Sequence, residues 1–227
     1  MFESAEERNS VINKWKEIVI SNCPNCNGTG YIGQNLCSCF EVAKKAVEKE
    51  CSNIPLIAFQ YDEVKVDYNL DDYIEFLLNN FYKTKNLYLQ DLPYSVSMSV
   101  IGYLADNIIG KQNKYTHKYL NMYYVIYENL IQLSLRSNID KEARIQLDEI
   151  ISKPNILIID NLGMETGLQS QTMHNAKLLQ LILRERSNRV KSTILSSKFN
   201  INDIEKYYHD DVMDFIVSSF DIVKRRG

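Results

Sequence analysis

Four of the five cysteines lie close together, as a C-x2-C pair followed by a C-x-C pair. This spacing lets four thiolates reach one tetrahedral ion, and a site with four cysteine ligands has no open position for water. A cytosolic chain keeps its thiols reduced, so a structural zinc ion is favoured over disulfides. The alternative is four free thiols in a loop. The predicted zinc ligands are Cys23, Cys26, Cys37 and Cys39.

A second candidate for chemistry is Asp160, which follows four consecutive apolar residues at 156–159. Bounded by Pro154 and Gly163, this run predicts a strand that is buried on both faces of a parallel sheet. An acidic residue at the carboxyl end of such a strand lies where open α/β sheets bind ligands. In P-loop nucleotide hydrolases this residue helps to hold magnesium. The alternative is that Asp160 caps a turn.

Bulk composition narrows the possible functions of the chain. It has 227 residues, 45% hydrophobic and 24% charged, which is enough for one medium domain with a small additional module. The net charge of -3 provides no general attraction to nucleic acid. No apolar stretch approaches the ~20 residues of a membrane span. The polar, acidic N-terminus argues against a signal peptide, so a cytoplasmic location is expected.

Short apolar segments alternate with amphipathic segments from residue 86 onward. This alternation predicts an α/β domain with a mostly parallel sheet and right-handed crossovers. The predicted strands are 86–90, 122–127, 156–160, 193–197 and 221–223, and the predicted helices are 98–109, 127–137, 141–151, 172–189, 201–208 and 211–218.

The residues before this α/β domain are predicted to form a separate module. Residues 1–20 have an apolar stripe that includes Trp15, and this helix either packs on the zinc module or docks a partner. Further helices are predicted at 40–51 and 71–81. The breaker Ser-Asn-Ile-Pro ends the first of these and predicts two domains, residues 1–52 and 53–227.

The order of these motifs resembles the bacterial replicative-helicase loaders of the DnaC/DnaI type, which are AAA+ ATPases and include forms carried by phages. The resemblance spans essentially the whole chain: the cysteine pairs, Asn53-Ile54-Pro55, Asp160-Asn161-Leu162-Gly163, the basic helix 178–186 and the T-I-x-x-S strand at 193–197. It implies an AAA+-like P-loop NTPase fold with sheet order 5-1-4-3-2 and no C-terminal lid, preceded by a small zinc-binding domain.

The chain departs from this family at the phosphate-binding loop. Such a loop needs G-x-x-x-x-G-K-[ST], because glycine backbone N–H groups wrap the phosphates, lysine neutralises them and a hydroxyl binds Mg²⁺. The corresponding residues 91–98 contain no glycine and no lysine. Asp91 replaces the first glycine, Ser97 replaces the lysine, and Met98 replaces the hydroxyl residue.

Other parts of the family's ATP apparatus are also replaced. Asn161 stands in place of the second acid, Lys198 in place of the asparagine that senses the γ-phosphate, and Ser219 near the position of the arginine finger. Asp160 and Arg186 remain as candidate remnants. Binding of ATP and Mg²⁺ is therefore not expected, and hydrolysis is expected to be lost.

The resemblance implies a loader-like protein of DNA replication. Its N-terminal region would bind a hexameric replicative helicase or another replisome protein, and its core would contact single-stranded DNA or assemble into an oligomer. One alternative is a non-enzymatic interaction protein or decoy that inhibits a host helicase or loader. Another is a divergent ATPase that is completed by a neighbouring subunit.

A local basic patch is the only candidate surface for DNA. It could equally be an ordinary solvated helix face with a basic tail. Tyr123 and Tyr124 are interpreted as sheet residues and not as platforms for stacked bases. The patch comprises Lys177, Arg184, Arg186, Arg189 and Lys191, together with Lys224, Arg225 and Arg226.

Overall fold

The computed structural model describes residues 5–60, 64, 66–80, 82–164, 169–205, 208 and 210–225. Several predictions concern residues outside this set. They are the start of the first helix at 1–4, the helix end at Phe81, part of the helix at 206–207 and the basic residue Arg226.

The N-terminal module consists of two helices joined by a small hairpin. Helix α1 spans Ala5–Trp15 and continues as a π-helix at Lys16–Ile20. The two-residue strands β1 (Tyr31–Ile32) and β2 (Asn35–Leu36) form an antiparallel hairpin. Helix α2 spans Ser38–Cys51. The two helices predicted here are confirmed, and the hairpin was not predicted.

A short segment attaches this module to the α/β core. The Tyr124 N–H donates to the Ser52 carbonyl at 2.8 Å, and the Asn53 side-chain amide donates to the Tyr124 carbonyl at 2.9 Å. A 3₁₀-helix follows at Leu56–Phe59. Helix α3 spans Leu70–Asn79, and its N-cap is the side chain of Asn69.

Five parallel strands form the central sheet. Their spatial order is 2-3-4-1-5 when they are counted along the chain, which is the expected 5-1-4-3-2 order read from the other edge. Every neighbouring pair is parallel. The predicted α/β fold and its sheet order are therefore confirmed. The strands are β3 (Asn86–Gln90), β4 (Met122–Ile126), β5 (Ile156–Asp160), β6 (Ser192–Ser197) and β7 (Phe220–Val223).

Helices connect these strands and cover both faces of the sheet. The predicted helices are all present, with ends that differ by a few residues. In the part of the chain that the structure describes, no helix combines the length and the apolar character needed to cross a bilayer. The helices are α4 (Tyr94–Ile108), α5 (Tyr127–Ser137), α6 (Lys141–Ser152), α7 (Gln169–Asn188), α8 (Ile201–Ile204) and α9 (Asp210–Ser219).

Alternation along the strands produces one hydrophobic core on each face. Leu157 and Ile159 of β5 pack with α5, α6, α7 and α9. Ile156 and Ile158 pack on the opposite face with α3, α4 and the 3₁₀-helix. Each such buried side chain contributes about 1.5–3 kcal/mol through removal of apolar surface from water. The helices cover the two faces of the sheet, and the carboxyl ends of its strands lie together at one edge. The residues predicted for the degenerate nucleotide site lie at this edge.

Candidate functional sites

The four predicted metal ligands come together beside the N-terminal hairpin. The Sγ atoms of Cys23 and Cys37 are 3.8 Å apart, and those of Cys26 and Cys39 are 3.6 Å apart. All four sulfur atoms lie within 4.8 Å of one another. Tetrahedral zinc with Zn–S bonds of about 2.3 Å places its sulfur ligands about 3.8 Å apart. The cluster therefore has the dimensions of a four-thiolate metal site.

Local hydrogen bonds favour the thiolate form that a metal requires. The Gly30 N–H donates to Cys26 Sγ at 3.2 Å. Burial raises the pKa of the Cys26 thiol, but the Gly30 N–H and the neighbouring thiols outweigh burial and lower that pKa to about 6. Burial and the three neighbouring thiols raise the pKa of Cys39. A divalent cation between the sulfurs would relieve this mutual repulsion, so the donor set fits a closed, structural metal site.

The remaining candidate residues share the carboxyl edge of the sheet. Strands β5, β6 and β3 are neighbours, so Asp160, Lys198 and Asp91 lie at adjacent strand ends. The loops are also connected, because the Asp91 N–H donates to the Ser197 carbonyl at 3.0 Å. Asp91 and Asn161 have φ values of 50° and 61°, which mark tight turns directly after β3 and β5. The structure thus places the aspartates, Asn161 and Lys198 at the predicted edge.

The connection between β3 and α4 is shorter than the sequence predicts. Residues 91–97 were expected to form a loop before a helix starting at Met98, but α4 begins at Tyr94. Only residues 91–93 connect the strand to the helix. Pro93 is the N-cap residue of α4, and its carbonyl accepts the first N–H groups of the helix, so the helix begins directly after it.

The early start of α4 changes the positions that correspond to a phosphate-binding loop. Ser97 and Met98 are buried within the helix, and Met98 belongs to the hydrophobic core beneath it. The N–H groups of Val96 and Ser97 donate to the Pro93 carbonyl at 2.9 and 3.0 Å. Two of the amides that would wrap phosphates in such a loop are therefore engaged within the chain.

Asp160 is buried and has a protein partner. Asp160 is only 2% exposed, and its Oδ2 accepts a hydrogen bond from the Tyr124 hydroxyl. Burial and this bond to the carboxylate raise the pKa of Tyr124. Tyr124 was interpreted as a sheet residue, which is correct, but its contact with Asp160 was missed. The strand register could have indicated this contact. Tyr124 of β4 pairs with Ile158, which lies two residues before Asp160 at the end of β5.

Arg186 does not lie at this edge of the sheet, so the structure does not bring it together with the other candidate residues of the nucleotide site. The fully buried guanidinium donates to the carbonyls of Asn155 and Ser192, at the start of β5 and β6, whereas Asp160 ends β5. Burial lowers the pKa of Arg186 to about 9. Its other N–H groups donate to the carbonyls of Ile151 at 2.8 Å and Pro154 at 3.2 Å and to Thr193 Oγ1 at 3.0 Å.

The buried position of Arg186 also removes it from the candidate DNA patch. Lys177 and Arg184 are exposed on α7, and Arg189 is exposed directly after the end of this helix at Asn188. Lys191 is partly buried, and its ammonium group donates to the Lys153 carbonyl at 2.8 Å. The exposed candidate DNA contacts among the five basic residues at 177–191 are therefore three.

Comparisons with protein-family models and with curated protein sequences found no match. Solved structures, in contrast, include similar folds. The crystal structure of the DnaC helicase loader has a TM-score of 0.54 at 20% identity, covering 74% of this chain and 96% of that one. The crystal structure of the DnaI has a TM-score of 0.53 at 17% identity, covering 78% of this chain and 94% of that one.

A third similar structure is a putative primosome component from Streptococcus pyogenes serotype M3. Its TM-score is 0.50 at 17% identity, and the match covers 70% of this chain and 76% of that one. At identities of 20% or less, these likenesses show a shared fold. The α/β fold that the motif resemblance implies, with its parallel sheet of order 5-1-4-3-2, is thereby confirmed.

Proposed function

We propose that this chain is a helicase-loader-like protein of DNA replication that binds a hexameric replicative helicase or another replisome protein. The observation that carries the proposal is the fold, whose similarity to the DnaC helicase loader spans 96% of that chain. The cysteine pairs and the Asn53-Ile54-Pro55 and Asp160-Asn161-Leu162-Gly163 motifs support the same assignment, because they occur in the order that the loaders have.

Loss of ATP hydrolysis is the second part of the proposal. The three-residue connection 91–93 is too short to wrap a triphosphate. Asp91 stands in place of the first glycine and adds negative charge beside the phosphates, and Ser97 stands in place of the lysine that would neutralise them. Asp160, the one carboxylate retained from the magnesium site, already accepts a hydrogen bond from Tyr124. Several independent changes in one site favour a protein that acts by binding other macromolecules and not by hydrolysing ATP.

The N-terminal module, residues 1–52, is the proposed contact with the helicase. Four thiolates of this module would hold a zinc ion, which would fix α2 against the turn after the π-helix. The hairpin then presents apolar side chains to solvent, since Tyr31, Ile32 and Leu36 are each more than half exposed. The core, residues 53–227, would present the exposed basic residues of α7 to single-stranded DNA.

Size-exclusion chromatography with light scattering tests helicase binding. The full chain, loaded with zinc, is mixed with the replicative helicase of its source organism, with and without ATP. We expect a complex whose mass and yield do not depend on ATP. Leu36→Asp on the hairpin should weaken the complex, whereas Ile145→Asp, an equally exposed apolar residue on α6, should leave it intact. Absence of a complex with the unmodified chain would contradict the proposal.

Titration with fluorescent ATP tests the lost hydrolysis. We expect no saturable binding at micromolar nucleotide and no release of phosphate. Micromolar binding that Asp160→Ala abolishes, together with turnover, would instead favour a divergent ATPase. In the presence of the helicase, stimulated unwinding of a single-stranded-DNA-tailed duplex would indicate a loader, and inhibition would indicate a decoy.

A further inference from the structure

Residues 110–121 form a compact hairpin, the lysine hairpin, which leads into β4 at the amino edge of the sheet. Gln112 and Tyr119 form an antiparallel bridge across it, and the Asn113 N–H donates to the Lys118 carbonyl at 2.9 Å. It packs on α3, which covers the face of the sheet opposite to α7. The cysteine cluster and the carboxyl edge of the sheet include none of its residues, so neither site described above accounts for it.

A buried asparagine fixes the conformation of the lysine hairpin. The side-chain amide of Asn113, a residue only 2% exposed, donates to the carbonyls of Leu77 at 3.0 Å and Asn80 at 2.9 Å, at the end of α3. Its Oδ1 accepts from the N–H groups of Tyr115 and Thr116, both at 3.1 Å. The backbone that carries the exposed side chains is therefore ordered before a partner binds, which lowers the entropy cost of binding.

The lysine hairpin is a positive region in a chain whose net charge is -3. Lys111, Lys114 and Lys118 are exposed, and the sequence contains no aspartate or glutamate between Asp106 and Glu128. Within the part of the chain that the structure describes, none of these three lysines belongs to an ion pair. Their charges are therefore not neutralised by a carboxylate of the chain and can attract an anionic partner.

Helix α2 extends this positive region. The hairpin begins against α2, because a Cβ atom on Gly110 would lie only 3.4 Å from the Cβ atom of Lys45. Burial lowers the pKa of Lys45, and the ammonium groups of Lys49 and Lys111 lower it further, although Asp106 raises it. The positive charges of the hairpin and of α2 therefore act on one another across this surface.

Tyrosine rings lie between the lysines of the hairpin. Tyr115 is 64% exposed between Lys114 and Lys118, and Tyr119, whose ring lies under the Lys44 ammonium group, is 37% exposed. Cations that contact phosphates, combined with aromatic rings that stack on bases, are characteristic of sites for single-stranded nucleic acid. A duplex keeps its bases stacked on one another, so the exposed rings favour a single strand.

We propose that the lysine hairpin is a binding surface for single-stranded nucleic acid. Its three exposed lysines contact successive phosphates of the strand, and the Tyr115 ring stacks on an unpaired base. This surface is separate from the basic residues of α7, which cover the other face of the sheet. The inference depends neither on a helicase nor on α7, so failure of the proposed function would leave it standing.

Fluorescence anisotropy of a labelled oligothymidine of ~20 nucleotides, titrated with the zinc-loaded full chain, tests this surface. Three phosphate contacts predict a slope of about −2 for the logarithm of the affinity against the logarithm of the salt concentration. Lys114→Gln combined with Lys118→Gln should weaken binding and bring this slope to about −0.7. Tyr115→Ala should weaken binding about fivefold or more without changing the slope, whereas Tyr115→Phe, which keeps the ring, should bind as the unmodified chain does.

The matched control is Lys16→Gln combined with Lys141→Gln, which removes two exposed positive charges elsewhere on the chain. It should retain both the affinity and the slope, and the far-ultraviolet circular dichroism of all variants should remain unchanged. The proposal is overturned if the unmodified chain shows no salt-dependent binding, if the hairpin variant binds as tightly as this control, or if Tyr115→Ala binds as tightly as Tyr115→Phe.

Competition experiments distinguish the other possible partners of a positive surface. An oligouridine of the same length should compete with the labelled strand, because it offers the same phosphates and unpaired bases. Duplex DNA or vesicles of anionic phospholipid that compete equally well would overturn the selection of a single strand. Loss of binding only on changing Lys177 and Arg184 to Gln would place the strand on α7, which overturns this inference and leaves the proposed function intact.

Discussion

The Tyr124 hydroxyl donates a hydrogen bond to the Asp160 carboxylate between two neighbouring strands of the sheet. The acceptor stands at the strand end where nucleotide hydrolases of similar fold hold magnesium. Here one carboxylate oxygen is instead bound by a side chain that comes from the same sheet. A cation at this position would have to compete with this internal hydrogen bond. We therefore expect the Asp160 carboxylate to act as a buried structural group and not as a metal ligand.

Replacing Tyr124 by phenylalanine should destabilise the protein. The change removes only the ring hydroxyl, and it leaves the buried Asp160 carboxylate without this donor. We expect the free energy of unfolding to fall by about 1–3 kcal/mol, measured by urea denaturation. Tyr94→Phe is the matched control, because the Tyr94 side chain is half-exposed. Equal midpoints for the two variants would show that the bond to Asp160 contributes little.

Arg186 should be much more important for stability than any other basic residue of α7. Arg186→Met would remove the guanidinium that donates to the carbonyls of Ile151 and Pro154 and would leave Asn155 with only its bond from the Ser192 N–H. Loss of such a network costs about 3–5 kcal/mol, so the variant should unfold at markedly lower urea concentration. Arg184→Met, on the exposed face of the same helix, should change the free energy of unfolding by about 0.5 kcal/mol or less. Similar effects of the two changes would contradict this role.

The strands were predictable because their signals are local. The apolar run at 156–159 is bounded by breakers, and β5 ends at Asp160 as expected. The start of α4 was missed because residues 91–97 were interpreted as a loop, whereas Pro93 is the N-cap of a helix that begins at Tyr94. The hairpin of β1 and β2 has only two residues in each strand, too few to produce a detectable alternation.

The roles of Tyr124 and Arg186 could not be predicted, because both depend on contacts between residues distant in sequence. Arg186 occupies a helix position that looks like an exposed basic residue, yet its guanidinium reaches the carbonyl of Asn155, which precedes another strand. Sequence periodicity identifies the face of a helix, but it does not reveal which carbonyl groups the neighbouring loop leaves without partners. The clustering of the four cysteines was predictable for the opposite reason, since all four lie within residues 23–39 at a spacing typical of metal ligands.

Zinc should bind to the N-terminal module in a ratio of about one ion per chain. The test is metal analysis of protein purified without added chelator, followed by replacement with Co²⁺, whose visible spectrum reports tetrahedral thiolate coordination. Cys26→Ser should abolish both signals, because it removes the thiol whose pKa is lowered to about 6. Cys51→Ser should retain them, because Cys51 is not one of the four clustered cysteines. Equal metal content in both variants would exclude the predicted ligand set.

Stability should increase with pH through the titration of Lys191. Burial, together with Arg186 and Arg189, lowers the pKa of Lys191 from 10.5 to about 8 in the folded chain. Between these values the unfolded chain binds this proton more tightly, so raising the pH favours the folded state. The contribution is complete above about pH 10.5 and is lost as the pH falls through about 8.

Urea denaturation between about pH 7.5 and pH 10.5 measures this effect as the difference between the unmodified chain and Lys191→Met. The free energy of unfolding of the unmodified chain should rise relative to that of the variant over this range. Lys177→Met, at an exposed position on α7, should follow the unmodified chain. Parallel curves for the unmodified chain and Lys191→Met would mean that the folded protein leaves this ammonium group hydrated. In that case the hydrogen bond from the Lys191 ammonium group to the Lys153 carbonyl would not require this ammonium group to lose its hydration.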